Sequence, residues 1–350
     1  MSVTMSDIAE RAGTSVAAVS VTLNGAKSKT LRVSPETRQR IVSAASELGY
    51  RRNPVAGALA TGRSMAIGLM LPHLTDFANQ DPFFSTLTSG VSAGASRHGY
   101  NVMLFTATAE EEGVKAAQMI DRRIDGLLLV SPASGTPIYS ECARQGIPIA
   151  SIMGQPGVGR TNLNCDDFAG AILATRHLIG LGHRRIAHLA GTAGVSTTAP
   201  RKKGYLKALE DARIPVVADL VVSGEFNRAI GYEATKRLMA LPADQRPTAI
   251  FAGNDLSAHG AIDAIQDAGL RVPENVAVIG FDDTWYATVP KPALTSVSLD
   301  VANLGRRAVE VLINLLSDAP DPISQVVMPV SLSVRESCGA SQGLRIQFQS

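Results

Sequence analysis

Thr4-Met5-Ser6-Asp7-Ile8-Ala9-Glu10-Arg11-Ala12-Gly13-Thr14-Ser15-Val16-Ala17-Ala18-Val19-Ser20-Val21-Thr22-Leu23-Asn24-Gly25 holds two short helical patterns around one glycine. Thr4 offers a hydroxyl at an N-cap and Asp7 a carboxylate three residues on, the pattern of a capping box. Ile8, Ala9 and Ala12 follow at helical spacing, and Gly13 breaks the run. Ser15 caps a second helix with apolar Val16, Val19 and Leu23, closed by Asn24-Gly25, a pair tolerant of positive φ. A third helix opens on Ser34-Pro35, a cap followed by proline at the first helical position. It runs through Ile41, Ala44, Ala45 and Leu48 to Gly49. Two helices of about two turns joined by a tight glycine turn match the helix-turn-helix unit. Ser15, Val16, Ala17, Ser20 and Val21 then face outward, toward base edges in a major groove. A helical hairpin in an enzyme has the same local pattern.

Charge favours the first reading. Residues 1–63 carry nine Lys/Arg against four Asp/Glu, a net of +5, on a chain whose total is +2. A basic head on a slightly acidic body is the asymmetry of a protein that meets nucleic acid at one end. Three cysteines without a C-x-x-C pair point to a reducing compartment. The start has no apolar run of a signal peptide, and no stretch of 18 apolar residues exists. A cytoplasmic protein without membrane partners is expected.

Asn53-Pro54 opens a further run, Val55-Ala56-Gly57-Ala58-Leu59-Ala60-Thr61-Gly62. It is one or two helical turns, marginal alone in water and weakened by Gly57 by about 1 kcal/mol. It reads either as a segment that folds only with DNA and a partner subunit or as a passive linker.

From Ala66 onward strand-like runs alternate with helical ones. Strands are predicted at Ala66–Leu71, Asn101–Phe105, Gly126–Val130, Ile147–Met153, Arg185–Ala190, Leu220–Ser223, Thr248–Ala252 and Val276–Phe281. Continuous apolar strands between helices imply parallel sheets covered on both faces. About 275 residues suit two doubly wound parallel-sheet α/β subdomains. Ligands bind such folds at the C-terminal strand ends, here between the halves.

The strings Ser6-Asp7-Ile8-Ala9, Ala12-Gly13-Thr14-Ser15, Leu23-Asn24-Gly25, Ser34-Pro35-Glu36-Thr37-Arg38, Leu48-Gly49-Tyr50 and Asn53-Pro54 resemble the lac repressor/galactose repressor family in order and spacing. Gly182-His183-Arg184-Arg185-Ile186-Ala187, Arg201-Lys202-Lys203-Gly204-Tyr205, Gly253-Asn254-Asp255 and Gly280-Phe281-Asp282-Asp283 extend the likeness over nearly the whole chain. It implies a regulator, in most cases a repressor, with an all-α headpiece (1–52), a hinge (53–63), a periplasmic-binding-protein-like effector core (64–340) and a tail (341–350). The core halves are then 64–161 with 295–323 and 162–294 with 324–340, with crossings near Thr161, Thr295 and Ser324. The partners implied are double-stranded operator DNA, a small sugar-like effector or a purine, and a second copy of the chain. No cofactor, metal or enzymatic activity is expected.

The resemblance further implies DNA contacts from Thr4, Asn24, Tyr50, Asn53 and Ala56, with Leu59 wedged into a central base step. Arg201 matches the family's ligand-binding arginine, whose fork suits hydroxyls or a carboxylate. Asp282 follows a strand end and suits two vicinal hydroxyls, and Asn254 both donates and accepts. Phe83, Phe84 and Phe226 match aromatic cleft positions. Each has a plainer reading: Asp282 and Asn254 as loop caps, Phe83 as core, Arg201 as a surface helix-start residue. Three features depart from the family: Val21 where an arginine is frequent, a longer loop over Gly25–Ser34 with Lys27, Lys29 and Arg32, and Gly57 in the hinge. The tail lacks a leucine heptad, so a dimer is expected rather than a tetramer.

Other classes find little support. Gly154, Gly157 and Gly159 do not space as G-x-G-x-x-G, and no phosphate loop or G-x-S-x-G elbow appears. His183 and His188 are five apart, unlike the i,i+4 pair of a zinc helix. A transport-type solute-binding protein is the alternative, but it would carry a signal peptide and no basic head.

Overall fold

The computed structural model describes residues 3–24, 31–51, 57–58, 62–71, 81–106, 123–132, 135–155, 161–317, 325–340 and 345–347. They form two units, Met1–Ala66 with Arg122–Asp125, and Ile67–Asp121 with Gly126–Ser350.

In the first unit α1 (Met5–Arg11), α2 (Val16–Asn24) and α3 (Pro35–Glu47) close over one small core. The capping box is present in full: Thr4 Oγ1 accepts from Asp7 N–H, and Thr4 N–H donates to Asp7 Oδ2 at 2.8 Å. Gly13 turns the chain at φ +57°, and Thr14 N–H donates to Ala9 O. Ser34 caps α3 through Thr37 N–H, with Pro35 at N1. Ile8, Val19 and Ile41 are fully buried together with Ala9, Ala12, Ala18, Ala44 and Ala45. Arg11 joins Glu47 at 2.7 Å on the surface and so ties α1 to α3.

The second unit continues with β1 (Ala66–Leu71), α4 (Pro82–Arg97), β2 (Asn101–Thr106), β3 (Gly126–Val130), α5 (Ile138–Gln145), β4 (Ile149–Ile152), β5 (Asn162–Cys165), α6 (Asp167–Gly180) and β6 (Ile186–Ala190). Next come α7 (Thr198–Asp211), β7 (Val221–Ser223), α8 (Arg228–Met239), β8 (Ala249–Ala252), α9 (Asp255–Asp267), β9 (Ala277–Asp282) and β10 (Thr295–Ser298). The last elements are α10 (Val301–Leu316), β11 (Gln325–Met328), β12 (Ser331–Ser333) and β13 (Arg345–Gln347).

These strands build two sheets, ordered β11-β5-β4-β3-β1-β2 and β13-β12-β10-β9-β8-β6-β7. The expected parallel pairing runs from β1 through β3, β4 and β5 to β11, and from β7 through β6, β8 and β9 to β10. The second sheet ends differently. β12 and β13 pair antiparallel on its edge, because no α-helical crossover lies between them to return the chain to the same end.

The crossings also shift by one strand from the expected positions near Thr161, Thr295 and Ser324. Asn162–Cys165 stays in the first sheet beside β4, Thr295–Ser298 stays in the second beside β9, and Gln325–Met328 returns to the first beside β5. The halves are therefore not divided at 161/162, 294/295 and 323/324. Two of the strands at these joins, Asn162–Cys165 and Thr295–Ser298, are short and polar, and side-chain bonds hold them where apolar periodicity gives no signal. Asn162, fully buried, bonds Gly154 N–H and Gly154 O at 3.1 Å each.

One apolar cluster runs from Ile67, Leu87 and Val91 in the first half to Phe251, Ile279 and Phe281 in the second. α4 and α10 touch backbone to backbone in the first half: a Cβ on Gly90 would sit 2.1 Å from Ala302 O, which no side chain tolerates.

Candidate functional site

In the first unit, helix α2 presents its start outward. Ser15 Oγ accepts from Ala18 N–H at 3.2 Å, so its hydroxyl is occupied as a cap. Val16 is 47% exposed and Ala17 is exposed, while Ser20 and Val21 are half-buried. Ala18 and Val19, on the opposite side of the helix, fill the core. A valine half in water at a helix start is an uncompensated apolar surface unless something apolar meets it. Thr4 is engaged with Asp7, whose carboxyl is held below the usual carboxylate range by the Thr4 backbone and then side-chain hydrogen bonds. Tyr50 is half-buried against the helical core, and its N–H donates to Ala45 O. Asn24 closes α2. Asn53, Ala56 and Leu59 lie outside the described residues, and of the hinge run only Gly57, Ala58, Gly62 and Arg63 lie within them. Gly57 and Ala58 are helical, and Gly62 N–H donates to Ala58 O.

In the second unit, Arg201 is at the centre of a buried polar cluster. α7 carries it inward, and only 3% of its surface is exposed, which removes the reading of a surface helix-start residue. Its Nε donates to Asp167 Oδ1 at 2.7 Å, its Nη1 to Gly253 O, and its Nη2 lies 3.6 Å from Asp282 Oδ1. The guanidinium covers the Phe281 ring at 3.8 Å and approaches that of Phe226 at 5.6 Å. Planar cation over ring face is a favourable contact when desolvated.

Asp282 ends β9 at φ 108°, and Asp283 follows at φ 53°. Two consecutive non-glycine residues in this region are strained and need outside support. Asp283 supplies it: its carboxylate takes Arg335 Nη2 at 2.6 Å and Ser333 Oγ at 2.6 Å, and its N–H donates to Ser296 Oγ. The Asp282 carboxyl itself accepts no hydrogen bond among the described residues although the residue is 4% exposed. It is thus not a loop cap.

Asn254 fills two roles at once. Its Oδ1 caps α9 by accepting from Ser257 N–H, and its Nδ2 donates to Phe226 O and, across the halves, to Asp81 Oδ2 at 3.2 Å. Asp81 caps α4 through Phe83 N–H. The N-termini of α4 and α9, one from each half, are therefore joined by a side-chain bond. Ser196 Oγ to Met153 O at 2.6 Å is a second such link. Phe226 is half-buried against Gly191, where a Cβ would lie 1.9 Å from the ring, so only glycine fits.

Phe83 departs from its expected place. With Leu87 and Val91 it lies on the inner stripe of α4 and is 5% exposed in the apolar core. Phe84, half-buried and edge-on to it at 5.4 Å, is the member of the pair left as a wall.

Three carboxylates join the cluster that sequence reasoning missed: Asp81, Asp167 and Asp255. Each sits at a helix start, a common place for an acid because of its N-cap and first-turn roles. Asp255 accepts from Ser296 Oγ at 2.5 Å and Thr284 N–H at 3.1 Å. Burial pushes its carboxyl up to about 8, against those two bonds. Burial also raises Asp81, Asp167 and Asp282, the last well above the carboxylate range, with Arg201 pulling the other way. His188 is a core histidine, stacked between Tyr205 and Phe251, and burial lowers it to about 4. No group of three His, Cys, Asp or Glu placed to hold a metal ion occurs among the described residues.

Residues 4–53 match the family described as bacterial regulatory proteins, lacI family, and residues 175–338 match a periplasmic binding protein-like domain. The chain is 31% identical over 325 residues to the HTH-type transcriptional repressor PurR of Haemophilus influenzae (strain PittEE), covering 92% of this chain and 94% of that one. Among solved structures it is similar to the lac repressor dimer bound to operator and the anti-inducer ONPF, with TM-score 0.82, 28% identity and coverage of 97% and 100%. It is also similar to the transcriptional regulator CelR in complex with cellobiose, with TM-score 0.70, 29% identity and coverage of 96% and 99%.

Proposed function

The chain belongs to the lacI family of bacterial regulatory proteins, DNA-binding transcription regulators with a ligand-binding core, and from that premise we propose that a sugar-like effector held by Arg201, Asn254, Asp282, Phe84 and Phe226 sets its affinity for an operator. Two copies of the chain bind a pseudo-palindromic site. Val16, Ala17 and Val21 meet thymine methyls there rather than reading guanine by a fork, with Ser15 and Ser20 beside them. Thr4, Asn24, Tyr50, Asn53 and Ala56 hold the phosphate backbone and hinge, and Leu59 enters the central step. The core works by binding and not by catalysis, and the protein acts on DNA in the cytoplasm.

The observation that carries this reading is the Asp81–Asn254 bond across the halves, set beside Asp282 with its unfilled acceptors. A ligand with several hydroxyls satisfies Asp282, lies on the faces of Phe84 and Phe226, and changes the contacts that join the two halves. Such a change couples two sites only if the ligand favours one arrangement over the other. The similarity to a cellobiose-bound regulator and to an operator-bound repressor supports both ends of that scheme.

The test is fluorescence anisotropy with an operator selected from random DNA by the full chain. Affinity falls with salt by a log–log slope near −0.9 per neutralised phosphate, as the net +5 of residues 1–63 requires. Asp282→Ala keeps operator affinity and loses the effector response. Affinity flat between roughly 50 and 200 mM salt overturns the DNA role, and a normal response in Asp282→Ala overturns the ligand site.

A further inference from the structure

Four carboxylates, Asp81, Asp167, Asp255 and Asp282, surround the effector site, and Arg201 is the one cation in contact with any of them among the described residues. Arg201 has two of its three nitrogens hydrogen-bonded and the third turned to an acid. Its Nε is taken by Asp167, its Nη1 by Gly253 O, and its Nη2 faces Asp282. The carboxyl of Asp282, more than nine-tenths buried, accepts no hydrogen bond among the described residues although its two oxygens have several acceptor positions. The acids come from both halves. Asp81 is fixed by Phe83 N–H in the first and reaches Asn254 in the second, where Asp255 and Asp282 lie.

From this surplus we infer that the effector carries a protonated amine on a hydroxylated ring, as an amino sugar does, and that anionic sugars are excluded. The inference rests on the effector site proposed above and names the ligand class of that site. A phosphate or carboxylate on Arg201 Nη2 would take from Asp282 the one cation it faces and would bring further negative charge among four acids. A buried charge stripped of its partner is strongly unfavourable. An ammonium does the reverse: it donates three hydrogen bonds, fills Asp282 and offsets the facing charge of Asp81. A bare metal ion is a poorer occupant, since no three ligating side chains converge among the described residues. The ring's C–H faces meet Phe226, whose ring tip rests against Gly191.

Isothermal titration calorimetry of the full chain with matched sets tests this: glucosamine, galactosamine and mannosamine, their parent hexoses, and the hexose 6-phosphates. We expect one amino sugar to bind on the order of tenfold tighter than its parent, the difference one charge-assisted hydrogen bond supplies, and no heat from the phosphates. In Asp282→Asn the preference for the amine over the parent hexose falls to near one, whatever the change in affinity for the hexose itself. Asp167→Asn, which keeps an oxygen for Arg201 Nε, lowers the preference in the same direction and serves if the first variant misfolds. A parent hexose or phosphate that binds as tightly as the amino sugar overturns the inference and leaves the effector site standing. Silence from every compound, in a protein that still binds DNA, overturns both.

Discussion

The headpiece and the effector core handle charge in opposite ways. In the headpiece the core is carbon, with Ile8, Val19 and Ile41 at its centre, and the ion pair and caps lie in water. In the core unit an arginine and four acids are sealed inside beside an apolar cluster of much greater size. An exposed pair contributes little to stability, about 0–1 kcal/mol, whereas a buried one is costly to break. The headpiece keeps its charges outside, where DNA phosphates are met. The core keeps its charges inside, where the proposed effector site lies.

Arg201→Met is the sharpest way to break that contrast. It leaves Asp167 and Asp282 without their cation, and removal of one partner of a buried pair costs about 3–5 kcal/mol. Calorimetry should show the core transition falling while that of the headpiece keeps its temperature. Ile41→Ala is the mirror experiment. Loss of a fully buried isoleucine costs about 2–5 kcal/mol, enough to unfold so small a helical unit. DNA binding is lost, and the core melts as before.

pH separates the regions with opposite signs. Asp255 is raised to about 8 in the fold from an ordinary value of 3.8, so the folded core holds a proton that the unfolded chain releases. Its contribution is complete below about pH 4 and is lost as pH rises through about 8, at up to about 1.4 kcal/mol per pH unit for one proton. Asp81, Asp167 and Asp282 are shifted the same way. Asp7 in the headpiece is shifted down, so its contribution is present above its unfolded value and is lost as pH falls through the folded one. Melting followed from about pH 5 to 9 should therefore show the core losing stability, and Asp255→Asn should flatten the slope. An unchanged slope in that variant assigns the proton to another of the four acids.

The three headpiece helices were legible because their signals are local: Thr4 with Asp7, Gly13 between two apolar runs, Ser34 before Pro35. Eight of the core strands were legible from apolar runs. β5, β10, β11, β12 and β13 were not, since Asn162-Leu163-Asn164-Cys165 and Ser331-Leu332-Ser333 owe their place to side-chain bonds and to neighbours far along the chain. At the site, Arg201, Asn254 and Asp282 were found through resemblance. Asp81, Asp167 and Asp255 were hidden by their second role at helix starts, and nothing local shows that they meet Arg201 or one another. Phe83 and Phe84 differ only in which side of α4 they occupy, a matter of about 100° that the pattern Phe83, Leu87, Val91 does record.

The interleaving of the two halves has a consequence on the ribosome. α4 is made early, yet the helix that packs on it through Gly90 and Ala302 arrives about 200 residues later. At about 5–20 residues per second the α4 face waits roughly 10–40 s for its cover. The β5 edge waits similarly for β11, while most of the second sheet is synthesised first. A nascent chain halted at Ser298 carries nearly all of one half complete and the other with an open helix face and an unpaired strand. Chaperone demand during synthesis should therefore fall on the half that begins first, and ribosome stalling beyond residue 298 should be more damaging to solubility than its distance from the C-terminus suggests.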